Sequence, residues 1–384
     1  MIGIRYDNDA DTAVRCVTFD NPANASFCEY TIEQYLYSCG GFSGYTNRST
    51  LSASKNEQIL KFAKISKIQR RIIQSMRHCK PKQVSINLLL HAALRNKSNA
   101  PVRIGNCNIM PIVFCYLAKM SAFTDAMQNS LVKGSGGKPL TTVAVISSGT
   151  YGVDNQQVIN SLQHYCESGL KILFLQNAKQ LDETITDDNI ESTLFLVMDR
   201  IFCDPVTLAL MQKAKHKLAK KYASTLSVDR QFIAVTSSSQ NAIDNGIAKK
   251  NIFLTPSWQV NGFSIWSSLG LPFSLAIGSR NYGHFLQGAF EVDQHVLNVP
   301  VAENILILSS LSRCVSEKDG YSKRLNNKLN ISADTLKQEQ FWSEYLVSAL
   351  SGILKNTTPK SLGAVLAIAE HMFIHQYLLD DGHP

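Results

Sequence analysis

Two groupings of polar side chains have types and spacings that could do chemistry. Asp199, Arg200, Asp204 and Thr207 fall directly after an apolar run, where carboxylates, a cation and a hydroxyl could receive an anion or move a proton. Glu370, His371 and His375 place two imidazoles at i and i+4 on one helical face. That is the spacing of a metal pair, but the HExxH order and a third ligand are missing. The histidines are therefore read as structural, and no metal or cofactor is expected. Asp199 and Asp204 are read first as helix caps, because free N–H groups and the helix dipole favour Asp there.

These residues need a frame, and the composition supplies one. The 384 residues are 45% hydrophobic and 18% charged, which excludes a disordered or fibrous chain and allows two ample cores. Nine scattered cysteines without a CxxC pair read as reduced thiols, and the N-terminus lacks the order of a signal peptide. No apolar run reaches membrane-spanning length, so a cytoplasmic protein is expected. The net charge of +8 is local: eight cations lie within 61–82 and five within 213–221, with no acid in either segment. The first reads as an amphipathic helix closed by Lys80-Pro81, with Phe62, Ile65, Ile68, Ile72, Ile73 and Met76 on its apolar face. Both runs read as solvated faces; the functional alternative is contact with nucleic acid or an anionic surface.

From about residue 140, fully apolar runs alternate with helical stretches. The runs are Thr142–Ser147, Lys171–Leu175, Ser192–Val197 and Gln231–Thr236, and a helix is expected from Asn155 to Glu167. Such alternation predicts an α/β fold with a doubly wound parallel sheet. Ligands bind such sheets beyond the strand C-terminal ends, so the loops after Ile146, Leu175, Val197 and Val235 carry the expectation of a site.

At those loops and around them the sequence resembles the phosphoglucose isomerase family of sugar-isomerase (SIS) domain enzymes. The resemblance is carried by LLLHAALRNKSNAPVRIGNCNIMP (88–111), STLFLV, FIAVTSSSQNAIDNGI, SIWSSLGLPFSLAIGSRNYGHFLQGAFEVDQHV (264–296) and PKSLGAVLAIAEHMFIHQ (359–376). It implies two three-layer αβα domains and an aldose–ketose isomerase acting on glucose 6-phosphate and fructose 6-phosphate, in glycolysis and gluconeogenesis. It also implies a homodimer. The expected division is an N-terminal helical region over 1–130, a first SIS-like domain over 131–230 and a shortened second one over 231–384.

Segment by segment, the functional loops depart from the family. Its G-I-G-G-S-x-L-G-P loop aligns with Ser147–Asn155, where only Gly149 stays in place and Tyr151 and Asp154 intrude. Its phosphate clamp, S-K-T-F-T-x-x-E-T, aligns with Asp199–Thr207; Arg200 replaces a lysine, Phe202 and Thr207 remain, and Asp199, Ile201 and Cys203 replace hydroxyl residues. A carboxylate beside a phosphate is repulsive. Gly262 occupies the position of the family's oxyanion-stabilising arginine, and no segment matches G-E-P-G-T-N-G-Q-H, which carries the base. Glu339 and Glu344 lie in that interval within a helix-forming stretch and are not read as catalytic. No counterpart of the ring-opening lysine is expected after Leu379. The resemblance thus implies a pseudoenzyme with no catalytic residues, binding a partner protein or a carbohydrate derivative. Gly149, Thr150, Arg200, Thr207 and Ser264 remain as a residual ligand pocket. The alternative is an active isomerase with relocated groups, such as Arg200 and an acid near 340.

Overall fold

The computed structural model describes short strands at 2–4 and 17–19 and most positions from 70 to 79. It also describes residues 90–299 except 148–149, 167–168, 223–227 and 260–263, and then 304 and 357–380. The chain divides into two units: one comprises Met1–Cys107, His284–Gln338 and Thr358–Pro384, the other Asn108–Gly283 and Glu339–Thr357.

The second unit is built on five parallel strands, β1 (Thr142–Ile146), β2 (Lys171–Leu175), β3 (Thr193–Met198), β4 (Phe232–Thr236) and β5 (Ile252–Leu254), in the order β2-β1-β3-β4-β5. The central strands are apolar and buried at every position because helices cover both faces. Edge strand β2 is only partly buried, and its first residue, Lys171, is exposed. Between the strands run α1 (Met110–Gln128), α2 (Thr150–Ser161), α3 (Ala178–Thr184), α4 (Pro205–Lys221), α5 (Ser239–Asp244) and α6 (Leu271–Ile277), with α1 preceding the sheet and α6 following it. Ala144, Ile146, Phe195, Val197, Phe232 and Ala234 pack one face against Leu181 of α3 and Leu210, Met211, Ala214 and Leu218 of α4. Helices α1 and α2 contact α6 on the other side, where Thr124 and Ser274 share a hydroxyl hydrogen bond of 2.9 Å. The result is a three-layer αβα fold.

Strand expectations hold to within one residue. The expected 155–167 helix begins at Thr150 and ends at Ser161, where a 3₁₀ turn at Gln163–Tyr165 takes over. The expected boundary at 230 falls inside the sheet, because β4 pairs with β3 in parallel register, Phe195 opposite Phe232, and β5 adds beyond it. The described positions from 70 to 77 are helical, with Ile72 and Met76 buried and Arg70 and Arg77 exposed. That helix does not continue to Lys80-Pro81. His78 and Cys79 turn instead into a short parallel ladder with Arg103 and Ile104, which uses their backbone groups.

Part of the cationic face of α4 is consumed internally. Lys213 pairs with Asp182 at 2.5 Å, Lys215 donates to the Asn245 and Gly246 carbonyls at 3.0 Å each, and Lys217 donates to the Ile185 carbonyl. These bonds tie α4 to the C-terminal ends of α3 and α5, where lysines satisfy orphan carbonyls.

In the other unit, α7 (Ser279–Asn298, of which residues from His284 onward belong here) and α8 (Pro359–Asp380) cross in backbone contact. A Cβ on Gly288 would lie 1.8 Å from the Lys360 carbonyl oxygen, and one on Gly363 the same distance from that of Phe285. Nearby, Arg95 lies fully buried. Its Nε and Nη2 donate to Asp293 at 2.7 and 2.8 Å, and its Nη1 donates to Glu370 at 2.5 Å. His371 Nε2 lies 2.7 Å from the same Asp293 carboxylate. Burial works to raise both carboxyls. At Asp293 the bidentate guanidinium and His371 outweigh burial and hold it below its usual range, whereas Glu370 stays raised.

Burial also lowers His295, to about 4, with His371 adding to the effect, and lowers His91 well below its usual value, with Arg95 adding. For a base lowered on folding, the unfolded chain takes the proton first, so stability present above the usual value of 6.5 drains as pH falls toward the folded one. Glu370, raised, opposes this because the folded chain protonates it first, while Asp293 adds acid lability at lower pH. The urea midpoint is therefore expected to fall between about pH 6.5 and about pH 4. A flat midpoint across that window, measured by circular dichroism, would remove the two histidines as its cause.

Candidate functional site

The strand order reverses direction between β1 and β3, where the chain first steps to β2 and then crosses to the other side. Crevices at such switch points, beyond the strand C-terminal ends, are where open α/β sheets bind ligands. Ile146 and Val197 are register partners, so the loops after them leave the sheet side by side. Topology thus selects two of the four loops in which the sequence placed the expectation of a site.

Four contacts hold the loop after β3. The Arg200 carbonyl accepts from the Ser237 amide at 2.7 Å, the Ser237 hydroxyl at 2.7 Å and the Thr236 hydroxyl at 2.9 Å. Asn241 Nδ2 donates to the Ile201 carbonyl at 2.6 Å. Phe202, buried, sits in the left-handed region with φ 54°, a conformation that costs a bulky residue energy and persists only where the surroundings enforce it. Within the loop, Asp199 accepts from the amides of Ile201 at 3.2 Å, Cys203 at 2.7 Å and Asp204 at 2.7 Å. Asp204 then caps α4, accepting from the Thr207 amide at 2.7 Å, with Pro205 as the first helical residue. Asp204 is thus the helix cap that the sequence predicted. Asp199 caps the loop instead, a role the sequence could not give because it depends on the turn at Phe202.

Of the five residues expected to line a pocket, Gly149 lies outside the described residues. Thr150 opens α2 and Ser264 opens a 3₁₀ turn at Ser264–Trp266. Arg200 reaches toward the Ser257 carbonyl at 3.4 Å, and Thr207 is 1% exposed in the first turn of α4. Gly262, Glu339 and Glu344 lie outside the described residues, as does the side chain of His375. Among the described residues no group of three His, Cys, Asp or Glu could hold a metal ion, and no helix is long and apolar enough to cross a membrane.

The segment after β5 is tied into the fold by side-chain hydrogen bonds. Asn155, fully buried in α2, donates to the Leu269 carbonyl at 2.9 Å and accepts from the Phe273 amide at 3.3 Å. Tyr282 donates to the Ile265 carbonyl at 2.8 Å, and a Cβ on Gly270 would meet that same oxygen at 2.2 Å. Ser268 donates to the Leu254 carbonyl at 2.8 Å, pinning this segment to β5. The loop after β3 thus carries two carboxylates, seated on amides of the loop and of α4, and one guanidinium that reaches toward Ser257. That arrangement can accept hydrogen bonds from hydroxyls more readily than it can hold a dianion.

A family model described as phosphoglucose isomerase matches residues 45–319. Glucose-6-phosphate isomerase of Stutzerimonas stutzeri is 34% identical over 225 residues, 58% of this chain and 41% of that protein. The enzyme of the same name from Shewanella denitrificans is 31% identical over 279 residues, 72% of this chain and 51% of its own length. The chain spans about half the length, or less, of these curated relatives. Among solved structures, a glucose-6-phosphate isomerase from Chlamydia trachomatis superposes with a TM-score of 0.58 at 16% identity, covering 85% of this chain and 82% of that one. On the family match over most of its length, with a sheet and switch-point loops where the family resemblance put them, the chain belongs to the phosphoglucose isomerase family.

Proposed function

We propose that this chain is a member of the family that binds a sugar-type ligand or a partner protein without isomerising sugar phosphates. The supporting observation is the pair of carboxylates, Asp199 and Asp204, on the loop whose family counterpart is rich in hydroxyls. Like charge a few ångström from a phosphate dianion opposes its binding by several kcal/mol where solvent is poor, as an order of magnitude. Gly262 at the position of the stabilising arginine points the same way, because without a cation there the developing oxyanion loses its main support. In a coupled assay of pure protein with fructose 6-phosphate, turnover is expected to stay at background. Turnover well above background that Arg200→Ala abolishes would sink the reading.

The names of the relatives favour a second reading, an active glucose-6-phosphate isomerase with relocated groups, using Arg200 as the cation and an acid near residue 340. The same assay separates the two. The family expectation of a cytoplasmic homodimer goes with either reading, and a light-scattering mass of a single chain would remove the dimer.

A further inference from the structure

The five strands run parallel, so the segments that lead into them gather at one end of the sheet, opposite the crevice. Under β4 and β5 that end is basic. Lys220 and Lys221 close α4, Arg230 precedes β4, and Lys249 and Lys250 precede β5; all of them are exposed. Asn251 Nδ2 donates to the Asp229 carbonyl at 2.9 Å and to the Phe232 carbonyl at 3.0 Å, which fastens the two lead-in segments side by side. Lys215, seated on the Asn245 and Gly246 carbonyls, adds a sixth cation and lies close enough to Asp229 to feel its charge. Asp229 and Asp244 are the acids of these segments, and positions 223–227 carry no charge in the sequence. Six cations thus meet two carboxylates, an excess of four. Beside the patch, Glu191 is paired with Lys138 and cancels it. Lys220 and Lys221 also complement the dipole of α4, but Arg230, Lys249 and Lys250 lie in 3₁₀ turns of three or four residues, where that role is absent.

We propose that this end of the sheet is a contact surface for anionic lipid headgroups, and that it seats the sheet unit on a bilayer with its crevice facing away. Charge separation along the fold supports the orientation, because the loop after β3 at the other end carries two carboxylates against one guanidinium. Two observations favour a bilayer over a nucleic acid. Helices α4 and α5 present their C-termini here, so the patch offers long flexible cations and no free helix amides to grip a single phosphate. Tyr222, the aromatic side chain of these lead-in segments, is buried and cannot stack on a base. Diffuse attraction of this kind suits a charged plane. There each cation is worth roughly fivefold in affinity, so an excess of four amounts to several hundredfold, or binding at lipid concentrations on the order of millimolar. The attachment is therefore peripheral and reversible. Isomerase turnover, present or absent, leaves this surface unchanged.

The test is sedimentation of the full chain with vesicles of phosphatidylcholine, alone or mixed with phosphatidylserine. Binding is expected only to the mixed vesicles, and to be lost between about 0.05 and about 0.5 M salt. Lys250→Glu and Lys179→Glu change the net charge equally, but Lys250 lies in the patch, whereas Lys179, exposed in the first turn of α3, lies at the crevice end. Lys250→Glu is expected to weaken binding roughly thirtyfold, and Arg230→Glu alike, while Lys179→Glu changes it less than about twofold. No binding to the mixed vesicles at low salt overturns the proposal. So does a loss with Lys179→Glu as large as with Lys250→Glu, or binding that neither patch variant weakens although both keep the native circular dichroism spectrum. Duplex DNA that binds through Lys250 and Arg230 at a salt concentration where the vesicles have released the chain assigns the patch to nucleic acid and overturns it too.

Discussion

Replacing Gly363 with alanine is expected to abolish the packing of α7 against α8 and to cost more than about 3 kcal/mol, leaving the protein insoluble or largely unfolded. The added methyl would sit 1.8 Å from the Phe285 carbonyl oxygen, 2.8 Å from its carbon and 3.2 Å from its Cα. All three are backbone atoms, so no rotamer change relieves the clash and the helices must move apart. Gly288→Ala is expected to act alike, because its Cβ would meet the Lys360 carbonyl oxygen at 1.8 Å and the Ala364 nitrogen at 3.0 Å. The control lies on the same helix: a Cβ on Gly283 meets nothing within 4 Å, so Gly283→Ala should stabilise by about 0.5–1 kcal/mol through helix propensity. Urea denaturation of the three variants checks this. If Gly363→Ala and Gly283→Ala shift the midpoint alike, the close crossing is not what holds these helices.

The second large effect is expected at Arg95. Arg95→Met leaves Asp293 and Glu370 buried without their cation, and stripping one partner from a buried ion cluster costs about 3–5 kcal/mol. Arg95→Lys is expected to recover little, since an ammonium cannot bond Asp293 through two parallel N–H groups and reach Glu370 with a third. The carboxyls are not equivalent. Asp293 takes two guanidinium bonds and a bond with His371, whereas the Arg95 bond to Glu370 is single, so Asp293→Asn should cost more than Glu370→Gln. Equal costs would break this ranking. Replacing Arg95, Asp293 and Glu370 together by apolar residues of similar volume is expected to restore most of the stability lost in Arg95→Met.

The sheet was legible because each strand is an unbroken apolar run between polar stretches, and burial on both faces allows nothing else. Its order was not, since Thr142–Ile146 and Lys171–Leu175 look equally central in sequence, yet β2 ends at the edge. The basic run of α4 shows the limit of periodicity. Lysines at 213, 215 and 217 read as a solvated face, but Asp182 and the Ile185, Asn245 and Gly246 carbonyls that engage them lie about 30 residues away in sequence. Arg95 left a signal that went unused: a cation beside the apolar run LLLHAAL must be paired when it is buried. Asp199 shows what the sequence could not carry. The aligned loop reveals a carboxylate in place of a hydroxyl, but which amides it faces is fixed only by the turn at Phe202 and the anchors from β4.

The ion cluster also orders events during synthesis. Arg95 precedes its partners Asp293 and Glu370 by 198 and 275 residues. At elongation rates of about 5–20 residues per second, the guanidinium waits on the order of 15–55 s for its second carboxylate to be made. The five-stranded sheet between them, all of it within Thr142–Leu254, can complete its pairing in that interval. A nascent chain stalled before α8 would hold a finished sheet and, in an apolar run, an arginine with only the first of its two carboxylates made. That is the kind of surface on which chaperones act.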